Sequence, residues 1–156
     1  MPLTYRQMRA EDVPAALAVR LSTKENAVTL DELKKDYSVT PQSMADELRS
    51  DASGWVCEDD GTLVGFSMGN GLNGEIAVVA VAPEYEGRGI GKTVLARTQN
   101  WLFSLGHEEI WLLANPDPDI RATGFYEKLG WRATGIMKGH DQVLKLQHTV
   151  ANDRMI

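Results

Sequence analysis

The run from Ile76 to Ala82, IAVVAVA, contains no polar side chain and is bounded by Gly74 and Pro83. Such a run reads as a strand buried on both faces. It leads into an amphipathic helix in which Val94, Leu95, Thr98, Trp101, Leu102 and Leu105 recur at about the 3.6-residue helical period. Between strand and helix lies Glu86-Gly87-Arg88-Gly89-Ile90-Gly91-Lys92. Glycines at a helix start let the backbone approach a ligand, and the first turn leaves N–H groups without partners. Those N–H groups, the helix dipole and the cations Arg88 and Lys92 make an anion site suited to a pyrophosphate.

Spacing separates the known glycine turns. A nucleotide P-loop ending at Gly91-Lys92-Thr93 would need its first glycine at position 86, which is Glu86. A dinucleotide fingerprint starting at Gly87 would need its last glycine at Lys92. Neither pattern fits. The spacing instead resembles the acetyl-CoA loop of the GNAT superfamily of N-acetyltransferases, Arg/Gln-x-x-Gly-x-Gly/Ala, with Gly89 and Gly91 at its glycine positions. Glu86 departs from that pattern where Arg or Gln is usual. The departure touches a side-chain contact more than the cradle, which is built from backbone. Val79-Ala80-Val81-Ala82-Pro83-Glu84-Tyr85 likewise resembles the family's strand and its exit.

A second segment points the same way. Residues 109–131, EIWLLANPDPDIRATGFYEKLGW, resemble the family's strand ending in Asn and its helix carrying Ala-x-x-Phe-Tyr-x-x-x-Gly-Phe/Trp. Asn115, Ala122, Phe125, Tyr126, Gly130 and Trp131 stand at the matching places. The two segments together cover residues 74–135.

The rest of the chain is read from pattern. Leu3 to Met8 is expected as a strand, followed by a helix with Pro14 in its first turn and Val13, Leu17 and Leu21 on one face. Thr29 and Glu32 form a capping-box pattern before a short helix, and Thr40-Pro41 starts another that runs to Leu48. Trp55 to Glu58 and Thr62 to Met68 make a hairpin about Asp59-Asp60-Gly61. Gly69 to Gly74 reads as a flexible loop. Glu109 to Ala114 is a strand, Asp117-Pro118 opens a helix that Gly130 closes, and Trp131 to Lys138 and Gln142 to Leu146 are antiparallel strands. His148 to Ile156 reads as a frayed tail. The expected class is α/β, with an α+β mixed sheet and helices on its faces. The resemblance refines this to a GNAT-like fold: a mostly antiparallel sheet, a splayed central strand and helices on both faces.

At 156 residues, with 43% hydrophobic and 24% charged side chains, residues 1–156 are expected to form one globular domain. No apolar run approaches the roughly 20 residues that span a bilayer, and the N-terminus has no leader pattern. A single cysteine, Cys57, excludes an internal disulfide and suits a reducing cytoplasm. The formal charge of −6 weighs against nucleic acid and toward cationic substrates. A homodimer stays open.

Acetyl transfer to an amine needs a neutral amine, a fixed acyl carbon, an oxyanion donor and a proton for the leaving thiolate. The resemblance implies that backbone N–H groups of Val79, Ala80 and Val81 serve as oxyanion donor and pantetheine zipper. It implies that Gly87, Arg88, Gly89, Ile90, Gly91 and Lys92 hold the pyrophosphate of acetyl-CoA. Tyr126 is the implied general acid and a contact of the cofactor, against the alternative of a core tyrosine with its hydroxyl tied off. Asn115 holds the pantetheine arm or caps the next turn. Glu75, at the head of the central strand, is either the general base or a solvated carboxylate. His107 and His140 read as surface or hydrogen-bonded residues, and no cluster has metal-ligand spacing. Cys57 reads as a small buried hydrophobe, which favours direct attack in a ternary complex over a covalent acyl-enzyme. The expected acceptor is a small-molecule or peptide amine, cationic. The alternatives are a protein N-terminal or lysine acetyltransferase and a non-catalytic CoA-binding sensor.

Overall fold

The computed structural model describes residues 2–23, 29–37, 39–117 and 121–148. Seven strands form one sheet in the order β1-β2-β3-β4-β5-β7-β6. The strands are β1 (Leu3–Gln7), β2 (Ala52–Asp59), β3 (Thr62–Asn70), β4 (Glu75–Val81), β5 (Glu109–Ala114), β6 (Arg132–Lys138) and β7 (Asp141–Gln147). The helices are α1 (Val13–Ser22), α2 (Leu30–Tyr37), α3 (Pro41–Leu48), α4 (Ile90–Ser104) and α5 (Arg121–Lys128). Every neighbouring pair of strands is antiparallel except β4 and β5.

Local chemistry explains these boundaries. The β2–β3 turn places Asp60 at φ 50° and Gly61 at φ 81°, the pair of left-handed residues a tight hairpin demands. The Thr29 hydroxyl accepts the Glu32 N–H at 3.1 Å while Glu32 accepts the Thr29 N–H at 3.3 Å, so the capping box before α2 forms. Thr40 caps α3 through the Ser43 N–H at 3.0 Å. Pro118, expected as the first helical position before α5, and the tail beyond His148 lie outside the described residues. His148 itself is not frayed: its N–H bonds Glu108 O at 2.8 Å, and its ring stacks on Phe103 at 4.5 Å.

Two helical layers cover the sheet. On one face, α1, α2 and α3 bury Val13, Ala16, Leu17, Leu33 and Met44 against Val56, Phe66, Met68 and Ala80. On the other, α4 and α5 pack Leu95, Leu102, Phe125 and Tyr126 onto Ile76, Ile110, Leu112 and Leu144. Buried Trp131 follows α5 and donates its indole N–H to Gln99 Oε1 of α4 at 3.1 Å, which locks the end of α5 to α4.

Two expectations need correction. The central strand is covered on both faces, with Ile76 and Ala80 buried on opposite sides, but its burial is incomplete. Ala77 is exposed, and Val78, Val79 and Val81 are only partly covered, because its β5 edge is mostly open. The glycine-rich segment before it is not a loose loop. Asn70 Oδ1 accepts the N–H groups of Leu72 and Asn73, Gly74 N–H returns to Asn70 O at 3.0 Å, and Gly71 N–H bonds Asp51 O at 2.8 Å. His107 Nε2 closes on Gly71 O at 2.7 Å. An Asn side chain that mimics a backbone turn supplies this order.

Strand β4 also carries a bulge. Consecutive residues Met68 and Gly69 of β3 face Val78 and Ile76, so Ala77 is an extra residue without a partner. The bulge inverts the side-chain alternation. Ile76 joins Val79 in the α4 layer, whereas Glu75 is turned to the face shared by Val78, Ala80 and α3.

The first turn is fixed by charge. Arg6 donates to both oxygens of Asp12 at 2.8 Å and to Glu58 at 3.0 Å. The Arg6 hydrogen bonds hold the Asp12 carboxyl below its ordinary value. Asp12→Asn should cost about 2 kcal/mol at neutral pH, the value of charge-assisted hydrogen bonds. Because the native value is depressed, this stabilisation is complete above the unfolded carboxylate value of roughly 3.9 and disappears as pH falls through the lower native value. Urea unfolding of both proteins from pH 7 to pH 2 should show their difference shrinking over the acid range. A difference that does not change with pH would contradict the assignment.

Candidate active site

The parallel pairing of β4 with β5 is confined to Glu75 opposite Trp111, reinforced by the Trp111 N–H to Gly74 O at 3.1 Å. Past that point β4 continues to pair only with β3, through Val78, Val79, Ala80 and Val81. The strands therefore part as a V. Ala82 N–H bonds Val64 O at 2.8 Å, which fixes the alternation along this edge. Ala80 shares the direction of Ala82, toward β3. The amides of Val79 and Val81 point the other way, into the opened seam.

The glycine turn lies at the end of the same strand. Gly87 and Gly89 sit at φ 81° and 80°, a region that favours glycine, and a Cβ at either would meet nothing within 4 Å. Gly89 caps α4 without a side-chain bond, and the first helical bond runs from Thr93 N–H to Gly89 O at 3.1 Å. By the geometry of a first turn, the N–H groups of Ile90, Gly91 and Lys92 stay outside the ladder. Buried Ile90 anchors the turn in the core, and Lys92 is exposed beside it. Arg88 rests its guanidinium 4.8 Å over the Tyr85 ring, and the Tyr85 hydroxyl donates to Asp59. Glu86 is exposed at the entry of the turn.

These parts converge. A Cβ on Gly91 would touch Val81 Cγ2 and Phe125 Cζ, both at 3.5 Å, so the strand end, the turn and α5 meet at one place. Tyr126 is the neighbour of Phe125, and its ring stands edge-on to Phe125 at 5.2 Å and to Trp131 at 6.0 Å. Burial raises its hydroxyl well above the ordinary phenol value, and Arg20 of α1 opposes that rise. The hydroxyl is protonated at neutral pH, as a phenol is with or without this shift. Asn115 directly follows β5, where its side chain accepts Asp117 N–H at 2.9 Å and its carbonyl accepts the Thr123 hydroxyl at 2.7 Å. Its side chain is thereby engaged as a turn cap.

Glu75 stands apart from this group, at the closed end of the V. Burial raises its carboxyl above the ordinary 4.5, the positive charge of Lys138 lowers it, and Glu47 of α3 raises it. Asn73 fixes the surroundings: its side chain accepts Glu75 N–H at 2.9 Å and its carbonyl accepts the Trp111 indole N–H at 3.0 Å. Cys57 is fully buried, with its thiol pushed up by burial, as a small hydrophobe should be. Among the described residues no group of His, Cys, Asp and Glu is placed to hold a metal, and no helix is long and apolar enough to cross a membrane.

A family model described as the acetyltransferase (GNAT) family matches residues 20–131. The chain belongs to this family. An acetyltransferase of Yersinia pestis is 33% identical over 78 residues, which are 49% of this chain and 55% of the relative. The chain thus spans about half the length of the curated relatives it matches. Among solved structures, the PaiA N-acetyltransferase of Thermoplasma acidophilum in complex with coenzyme A superposes with a TM-score of 0.79 at 20% identity. That match covers 95% of this chain and 100% of the other. The ribosomal-protein-S18-alanine N-acetyltransferase of Escherichia coli gives 0.70 at 18% identity, covering 94% of each chain. The seven-stranded mixed sheet with helices on both faces is the GNAT fold.

The sequence reading gave Trp111, Lys138, Asn73, Glu47 and Arg20 no place in the site, since they come from separate elements and no short motif links them. One signal was available for Trp111. In EIWLLA the core takes Ile110, Leu112 and Ala114, so alternation turns Trp111 to the opposite face. The electrostatics can be read directly. In carboxyl-carbon NMR, Glu75 should titrate above 4.5, shift further up in Lys138→Gln and shift down in Glu47→Gln. An ordinary midpoint that neither substitution moves would remove Glu75 from a buried, charge-coupled site.

Proposed function

We infer that the chain is one acetyltransferase domain, and that it moves an acetyl group from acetyl-CoA to a primary amine by direct attack within a ternary complex. The single observation that carries this reading is the opened β4–β5 seam. It aims the amides of Val79 and Val81 at the space that ends on the glycine turn. The local chemistry fits such a co-substrate. Gly87, Arg88, Gly89, Ile90, Gly91 and Lys92 offer unpaired N–H groups, a helix N-terminus and two cations to a pyrophosphate. Asn115 borders the seam where a pantetheine arm would run.

The thioester of acetyl-CoA supplies an activated acyl carbon; the remaining requirements fall to the protein. The Val79 and Val81 amides polarise a carbonyl placed in the seam and stabilise charge that develops on its oxygen. At the closed end of the seam Glu75 accepts a proton from the incoming ammonium, directly or through water. An alkylammonium has a pKa near 10.4, so at neutral pH nearly all of it must lose a proton before it can attack. A carboxyl raised by burial is better matched to that task than an ordinary one. Tyr126, held protonated, gives its proton to the departing thiolate. The acceptor is then a small or peptide amine, cationic, drawn by Glu75 and Glu47.

The test combines calorimetry and turnover. Gly89→Asp adds a carboxylate to the turn and requires a left-handed Asp, a strain of about 1–2 kcal/mol, which a domain stability of about 5–15 kcal/mol can absorb. The folded variant should lose CoA binding. Tyr126→Phe should bind CoA as the parent does and turn over about 100-fold more slowly. Undiminished CoA affinity in folded Gly89→Asp would overturn the cofactor site. Unchanged turnover in Tyr126→Phe would assign proton donation to solvent.

A further inference from the structure

On the α3 face of the sheet, at the closed end of the seam, three side chains from three strands meet without any motif to announce them. Glu75 of β4 pairs directly with Trp111 of β5, and neighbouring strands lie about 4.8 Å apart. Lys138, the last residue of β6, reaches across to place Nζ 4.8 Å from the centroid of the Trp111 ring. Its charge also acts on Glu75. Lys145, the cross-strand neighbour of Trp111, does not compete for this place, because its ammonium is held by Glu109 at 3.2 Å. Asn73 orients both walls at once, one through its side chain and the other through its carbonyl.

An aromatic face beside a carboxylate is a receptor for an ammonium group: the ring quadrupole attracts the cation and the carboxylate neutralises it. Here an ammonium supplied by the protein itself, that of Lys138, already lies over the ring and acts on Glu75 through its charge. Lys138 is an exposed residue in the β6–β7 hairpin, so nothing in the core keeps it in place. Its hold on Trp111 is the weak attraction of an exposed cation–π pair, about 0.5–1 kcal/mol. A ligand ammonium can displace it.

We propose that Trp111 and Glu75 form the subsite for the ammonium of an alkylamine acceptor, and that Lys138 occupies this subsite in the free protein as a built-in competitor. The proposal rests on the transfer reading above for the identity of Glu75 as base, and it deepens that reading by naming the acceptor class. An unbranched primary alkylamine fits, since its ammonium must enter between a ring and a carboxylate where a lysine side chain now reaches. Trp111 is then a specificity-determining residue, Asn73 a positioning residue and Lys138 a gate.

The experiment needs no turnover. Protein labelled with 15N at tryptophan and 13C at the glutamate carboxyl is titrated with n-butylammonium and, as the uncharged control, n-butanol, with and without CoA. The Trp111 indole resonance should follow the ammonium and not the alcohol. Lys138→Gln should tighten n-butylammonium by about two- to five-fold, the displaced cation–π attraction expressed as a binding ratio. In Trp111→Leu, the Glu75 carboxyl resonance should report weaker binding by a similar factor. Unchanged affinity in Lys138→Gln, an equal response to butanol, or no response of Trp111 to the ammonium in either form would overturn the subsite. Calorimetry of CoA on the same samples separates the two readings. Loss of the ammonium effect with intact CoA binding removes only the subsite. Intact ammonium binding without CoA affinity removes the transfer function instead.

Discussion

The structure turns on one short pairing. The register of β4 with β5 consists of Glu75 opposite Trp111, so a parallel pair that could have been a continuous ladder becomes a hinge. An unpaired strand edge inside a protein is costly unless its N–H and C=O groups find partners. Here the Val79 and Val81 amides are turned into the gap, and the same gap ends at α5 and the glycine turn. The missing ladder is the proposed binding site. At the open end of the gap Val81, Gly91 and Phe125 come together.

The bulge at Ala77 divides labour along one strand. Without the extra residue, Glu75 would share a face with Val79 and point into the α4 layer. With it, Glu75 comes out beside α3, Trp111 and Lys138, while Ile76 takes the core position. The proposed proton acceptor, Glu75, and Tyr126 thus stand on opposite faces of the sheet. The turn at 70–74 supports all of this. Its Asn70 and Asn73 hydrogen bonds fix where β4 begins, and therefore where the bulge falls.

Much of the framework was legible in the sequence because each element announces itself locally. Glycine spacing at 87, 89 and 91, the Thr40-Pro41 cap, the Asp60-Gly61 turn and the Phe125-Tyr126 face each encode a short-range geometry, and the structure realises them. The apolar run of β4 was read as doubly buried because composition cannot distinguish a covered edge from one left open for a ligand. The bulge was invisible for a related reason: six apolar residues read the same with or without a phase change. The ordered 69–74 turn was misjudged since its rigidity comes from Asn70, Asp51 and His107, and two of these are remote in sequence. The Glu75–Trp111–Lys138 cluster depends on strand order, β4-β5-β7-β6, and strand order is a tertiary fact.

The central claim is that the seam presents the amides of Val79 and Val81 for a thioester, and hydrogen exchange resolved at single amides tests it most directly. In the free protein the Val79 and Val81 amides should exchange much faster than Ala80, which shares the hydrogen-bonding side of Ala82 toward β3. Saturating acetyl-CoA should slow Val79 and Val81 strongly and leave Ala80 nearly as it was. Equal protection of all three amides in the free protein, or slow exchange that acetyl-CoA does not change, would contradict the account.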